Sequence, residues 1–66
     1  MKLIAERDGE VIVIGEGYTF ESACFFLSEL EFDCEYNDIC PYEGCDFTLV
    51  DGETTYFFDG EDFVKI

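Results

Sequence analysis

Residues Lys2 to Gly15 read KLIAERDGEVIVIG, and the order of residue types in that stretch decides the architecture. The pair Asp8-Gly9 stands between two short segments rich in apolar residues, which is the strongest local signal for a tight hairpin turn. Lys2 to Arg7 and Glu10 to Gly15 are therefore expected to pair as antiparallel strands. The run Val11-Ile12-Val13-Ile14 is β-branched throughout, which favours a strand covered on both faces and central in its sheet. The same turn signal recurs at Asp51-Gly52 and Asp59-Gly60. Phe47 to Val50, Glu53 to Phe58 and Glu61 to Ile66 are expected to form a meander across those two turns.

After the break at Gly15-Glu16-Gly17 the period changes. Phe20, Ala23, Leu27 and Leu30 recur at helical spacing and mark one face of a helix. Thr19 is a suitable N-cap, and Glu21 falls in the first turn, where the helix dipole favours an anion. The other face carries Glu21, Phe25, Ser28 and Glu29, so an aromatic ring lies between two carboxylates. Phe25 reads equally as part of a wide apolar stripe reaching the sheet or as an exposed contact residue. Glu31 to Tyr36 alternates, with Glu31, Asp33 and Glu35 on one side and Phe32, Cys34 and Tyr36 on the other, which is strand periodicity. Asn37 to Cys45 contains Pro41 and Gly44 and is expected to be an irregular surface loop. With the short 31–36 segment left aside, the expected order is β-β-α-β-β-β: an α+β fold, one domain over residues 1–66, with one helix packed on an antiparallel sheet.

With 66 residues the chain buries only about 60% of its unfolded surface, which leaves little room for a large active-site cleft. Hydrophobic residues make up 48% and aromatics 18%, enough to collapse around a core. Seventeen Asp and Glu stand against three bases, Lys2, Arg7 and Lys65, for a net charge of -14, and no base occurs from Asp8 to Val64. That balance argues against direct contact with nucleic acid or an anionic membrane, both of which require Lys and Arg. No apolar run approaches the roughly 18 residues of a membrane span, and Met1 to Arg7 lacks the features of a signal peptide. A cytoplasmic protein is expected.

The chemistry available is narrow. There is no His, hence no ordinary general base near neutral pH. Ser22 and Ser28 lie on the expected helix with no base or nucleophile-elbow motif beside them, and a glycosidase would need a sugar-sized cleft for its carboxylate pair. The chain is expected not to be an enzyme and to use no cofactor. Cys24, Cys34, Cys40 and Cys45 are separated by nine, five and four intervening residues, unlike the close pairs of a structural zinc site. In a reducing compartment they are expected to be free, metal-free thiols packed as small hydrophobes, Cys24 under the helix and Cys34 with Phe32 and Tyr36. Asp59-Gly60-Glu61-Asp62 lacks the order of an EF-hand loop and fits turn chemistry better.

A net charge of -14 exceeds what solubility requires, and self-repulsion at this density destabilises a compact state. By the scaling of compact chains the molecule is about 28 Å across, and duplex DNA of that length carries about 16 phosphate charges. On a strand, Glu31, Asp33 and Glu35 would form a row of anions spaced about 6.7 Å apart. Glu21 and Glu29 on the helix and Asp51, Asp59, Glu61 and Asp62 at the turns could supply a second row. In composition the whole chain, acidic over every element with aromatics interleaved, resembles the small phage-encoded DNA-mimic proteins. That resemblance carries no motif. It implies an inhibitor occupying the basic DNA-binding site of a host enzyme such as DNA gyrase, placed slightly ahead, uracil-DNA glycosylase, a restriction enzyme or a CRISPR effector, in the host cytoplasm. Alternatives are an acidic inhibitor or antitoxin of a basic protein that is not a DNA enzyme, and a homodimer or interaction module using residues such as Phe57 on a sheet face that one helix cannot cover.

Overall fold

A computed structural model describes all residues, 1–66. Strands β1 (Lys2–Arg7) and β2 (Glu10–Gly15) are followed by helix α1 (Phe20–Asn37) and by strands β3 (Asp46–Asp51), β4 (Thr54–Phe58) and β5 (Phe63–Lys65). The strands form one antiparallel sheet in the order β2-β1-β3-β4-β5. This is the α+β arrangement expected, with β1 joined to β3 across the helical connection.

The first hairpin closes as its sequence dictates. Asp8 and Gly9 both adopt positive φ, 53° and 83°, the backbone of a two-residue turn matched to the strand twist, and Arg7 pairs with Glu10. The other two turns are displaced from their Asp-Gly pairs. Asp51 pairs with Thr54, so Gly52 and Glu53 are the central residues. Phe58 pairs with Phe63, so 59–62 forms a four-residue loop and the last strand is shorter than Glu61 to Ile66.

Two expectations fail. The β-branched strand β2 lies at the sheet edge, with Val11 and Val13 more than half exposed; its apolar residues reflect one uncovered face, not a central position. Glu31 to Tyr36 is not a strand but the last turns of α1. The deciding pattern is Ala23, Leu27, Leu30 and Cys34, which continues the inward stripe at helical spacing, while Glu31 and Glu35 are good helix formers. The helix stops only at Asp38, which adopts the left-handed conformation (φ 55°), and Ile39 N–H donates to the Asp33 carbonyl at 3.1 Å. At the other end Thr19 caps as expected: Ser22 N–H donates to Thr19 Oγ1 and Thr19 N–H to Ser22 Oγ, a reciprocal capping box.

The core is small. Leu3, Ala5, Ala23, Leu27 and Leu49 are the buried residues. Leu3 and Leu49, paired across β1 and β3, meet Ala23 on the helix, with Met1, Ile14, Tyr18, Phe26, Tyr56 and Phe63 packed around them. The helix thus covers one face of the sheet and leaves the other open.

Candidate functional site

The helix axis sorts the acidic side chains onto three surfaces. Opposite the buried stripe, the outer face of α1 carries Glu21, Phe25 and Glu29, joined by Phe32 and Tyr36, whose rings lie 4.7 Å apart. The three rings are 57–67% exposed. Phe25 is therefore a surface residue, and the wide-stripe reading is excluded. The sequence reading missed Phe32 and Tyr36 because strand periodicity turned them inward; the spacing Phe25, Phe32, Tyr36 on a helix would have shown them.

The row expected from Glu31, Asp33 and Glu35 does not exist. On a helix, Glu31 and Asp33 are about 200° apart around the axis. Glu31 and Glu35 share one flank, while Asp33 lies on the other, half-buried, and accepts from Asn37 Nδ2 at 3.3 Å. The flank of Glu31 faces the β4–β5 loop, where Asp59 and Glu31 border the same cleft and the Asp62 carboxylate lies close enough to influence Cys24. Glu31, Glu35, Asp59, Glu61 and Asp62 thus form a second acidic surface. Asp51 lies apart, beside Lys2 and Glu16 at the far end of the sheet.

The cleft, of about 410 Å3, lies between the second half of α1 and the ends of β3 and β4. Its floor is apolar, with Leu27, Leu30, Phe47 and Phe58, and its wall is the 40–45 loop. Arg7 Nη1 donates to the Glu43 carbonyl at 2.8 Å and pins that loop to β1. Here the structure corrects the expectation of four free thiols: Cys34 and Cys40 are disulfide-bonded, and Cys24 and Cys45 remain free. The cause is the left-handed turn at Asp38, which folds the chain back so that Cys40 reaches Cys34, with the Cα atoms 4.6 Å apart. Cys34 therefore does not pack as a free thiol with Phe32 and Tyr36. Burial, and secondarily the Asp62 carboxylate, push the Cys24 thiol up, so it is not an activated nucleophile.

Asp59 is spent on the backbone. Its Oδ1 accepts from Glu61 N–H and Asp62 N–H, both at 2.9 Å, and these bonds, that from Asp62 first, hold its carboxyl below the usual carboxylate range. Ser22 is engaged in the helix cap. No group of three or more Cys, Asp or Glu side chains is arranged to hold a metal ion, and no helix is long and apolar enough to cross a membrane.

Few of the carboxylates are neutralised. The single ion pair joins Lys2 Nζ to Glu16 at 3.8 Å, leaving sixteen of seventeen acids without a cationic partner. Chemically, the helix side of the molecule offers exposed aromatic rings set among carboxylates, a surface suited to Lys and Arg. Comparison with protein-family models, with characterised proteins and with solved structures gives no match to this chain.

Proposed function

We propose that the chain is an acidic inhibitor that occupies the basic DNA-binding site of a host DNA-processing enzyme in the host cytoplasm, with DNA gyrase the first target to test. The observation that carries this reading is the base-free stretch from Asp8 to Val64, whose carboxylates crowd the helix and the β4–β5 loop almost unpaired. The long axis measures 36 Å, and duplex DNA of that length carries about 21 phosphate charges. The chain's net charge is about two-thirds of that, close enough to compete for the same Lys and Arg side chains by electrostatic attraction. Helix and loop surfaces take the role that a strand row would have played.

Phe25, Phe32 and Tyr36 add what a phosphate backbone lacks. Arginine guanidinium groups stack on aromatic faces, so a site lined with Arg gains cation–π contacts between the ion pairs. The same stripe favours a second reading, an inhibitor or antitoxin of a basic protein that is not a DNA enzyme, because aromatic anchors are typical of protein recognition.

The test is a panel of DNA enzymes, gyrase supercoiling first, titrated with wild type and with E21K/E29K/E35K, which changes the net charge from -14 to -8. The three side chains are exposed, so the variant should fold, and inhibition should fall about a hundredfold at low salt. Competitor duplex should displace the wild-type protein. A partner that binds equally well with its DNA site already filled overturns mimicry in favour of the second reading.

A further inference from the structure

On the face of the sheet turned away from the helix, the strand carboxylates, Glu6 and Asp46, lie along one edge only. Strand register sets the residues in rows. Val13 lies beside Ile4, Ile4 beside Thr48, Thr48 beside Phe57 and Phe57 beside Val64, so one uncharged row crosses all five strands. Val13, Phe57 and Val64 are each about half exposed. The flanking row on one side is Lys2, Val50 and Thr55, and on the other Val11, Glu6 and Asp46. The face is therefore apolar along its middle, with Lys2, ion-paired to Glu16, toward one end and the carboxylates of Glu6 and Asp46 toward the other.

From this juxtaposition we propose that the open face binds a second copy of the chain about a two-fold axis running along the Val13–Val64 row. Such an axis stacks the central row on itself, Phe57 on Phe57 and Ile4 on Ile4, and reverses the strand direction. Lys2 of each copy then faces Glu6 of the other. A two-fold axis along the strands would instead stack Asp46 on Asp46, which like-charge repulsion disfavours. By strand spacing and rise the face covers about 400 Å2, so a pair buries roughly 800 Å2, the size of a reversible interface, not a permanent one. The carboxylate-rich helices point away from each other on the outside of the sandwich, whose two sheets would lie about 10 Å apart. This pairing is independent of the inhibitor reading, because it uses the opposite surface.

Sedimentation equilibrium up to about 1 mM protein in about 0.3 M NaCl, where long-range repulsion is screened, reads the association directly. Circular dichroism checks that each variant is folded. Wild type should dimerise, and F57E, which sets two carboxylates against each other on the axis, should be monomeric. K2E and E6K should each weaken the dimer about tenfold, because the two-fold axis doubles every changed contact. K2E/E6K keeps the wild-type net charge and should return to within about threefold of wild type. E6K is the sharpest single variant, since it lowers the overall repulsion yet is expected to weaken association. A wild-type monomer at the highest concentration overturns the proposal and leaves the face to a different protein. Folded F57E that dimerises like wild type, or a double exchange that fails to restore, also overturns it; the latter is what edge-to-edge pairing through β2 would give, since β1 lies inside the sheet.

Discussion

At Asp59 a carboxylate stabilises a turn in place of meeting a partner. The two N–H donors from Glu61 and Asp62 favour its charged form, which is why its carboxyl is held below the ordinary Asp range. A group depressed in the folded state contributes stability that is fully present above the unfolded value of about 3.9 and is lost as pH falls through the lower folded value. Comparing wild type with Asp59→Ala should therefore give a gap in melting temperature that is constant from neutral pH down to about pH 5 and closes in the acid range below it. A gap that widens on acidification would show that the hydrogen bonds do not depend on the charge. The three Asp-Gly pairs look alike in sequence, and only Asp8-Gly9 forms the two-residue turn itself; what separates the third is that the Asp59 side chain captures two following amides and lengthens the loop.

The C-terminal half of α1 is the element most at odds with its own charge. Asp33 and Glu35 lie near the negative end of the helix dipole, Asp38 forms the cap, and no base occurs in the last turn. Each such anion costs about 0.3–1 kcal/mol in an exposed position. The left-handed Asp38 and the Cys34–Cys40 disulfide hold this end against that repulsion. Closing so short a loop stabilises by about 2 kcal/mol on the chain-entropy account. Reduction should accordingly lower the melting temperature by several degrees, and hydrogen exchange should show residues 31–37 losing protection before 20–27. A melt unchanged by reductant would mean that the cap alone suffices. The same stretch explains the largest error of the sequence reading: six residues of alternating polarity satisfy a strand period, but Leu27, Leu30 and Cys34 need the helix to continue if their side chains are to reach the interior.

The whole molecule carries its charge on a core of five buried residues, within extents of 36 × 26 × 19 Å. With one ion pair there is almost no attraction for salt to weaken, so screening should mainly relieve repulsion. The melting temperature at low micromolar concentration, where self-association is negligible, should rise by several degrees between about 20 mM and about 1 M NaCl. A midpoint that falls with salt would show that favourable pairs outweigh repulsion and would remove the main support for a charge-driven function.

Composition and local pattern were sufficient for the class of fold. Turn chemistry at Asp8-Gly9, the Thr19 cap and the apolar spacing from Phe20 onward are consequences of neighbours within a few residues, and so are legible without knowing where anything lies in space. The excess of carboxylates is likewise a property of the chain alone. The structure decided which residues share a surface. It set β2 at an edge although its residues suit a centre, turned Glu31, Asp33 and Glu35 to different sides of a helix, brought Cys40 back to Cys34, and lined Val13, Ile4, Thr48, Phe57 and Val64 into one row from five strands. The pairing of β1 with β3 spans forty residues or more, and the continuation of the helix through 31–37 is fixed by how one helix and five strands bury a small core together, a choice that the alternating polarity of a few residues does not make.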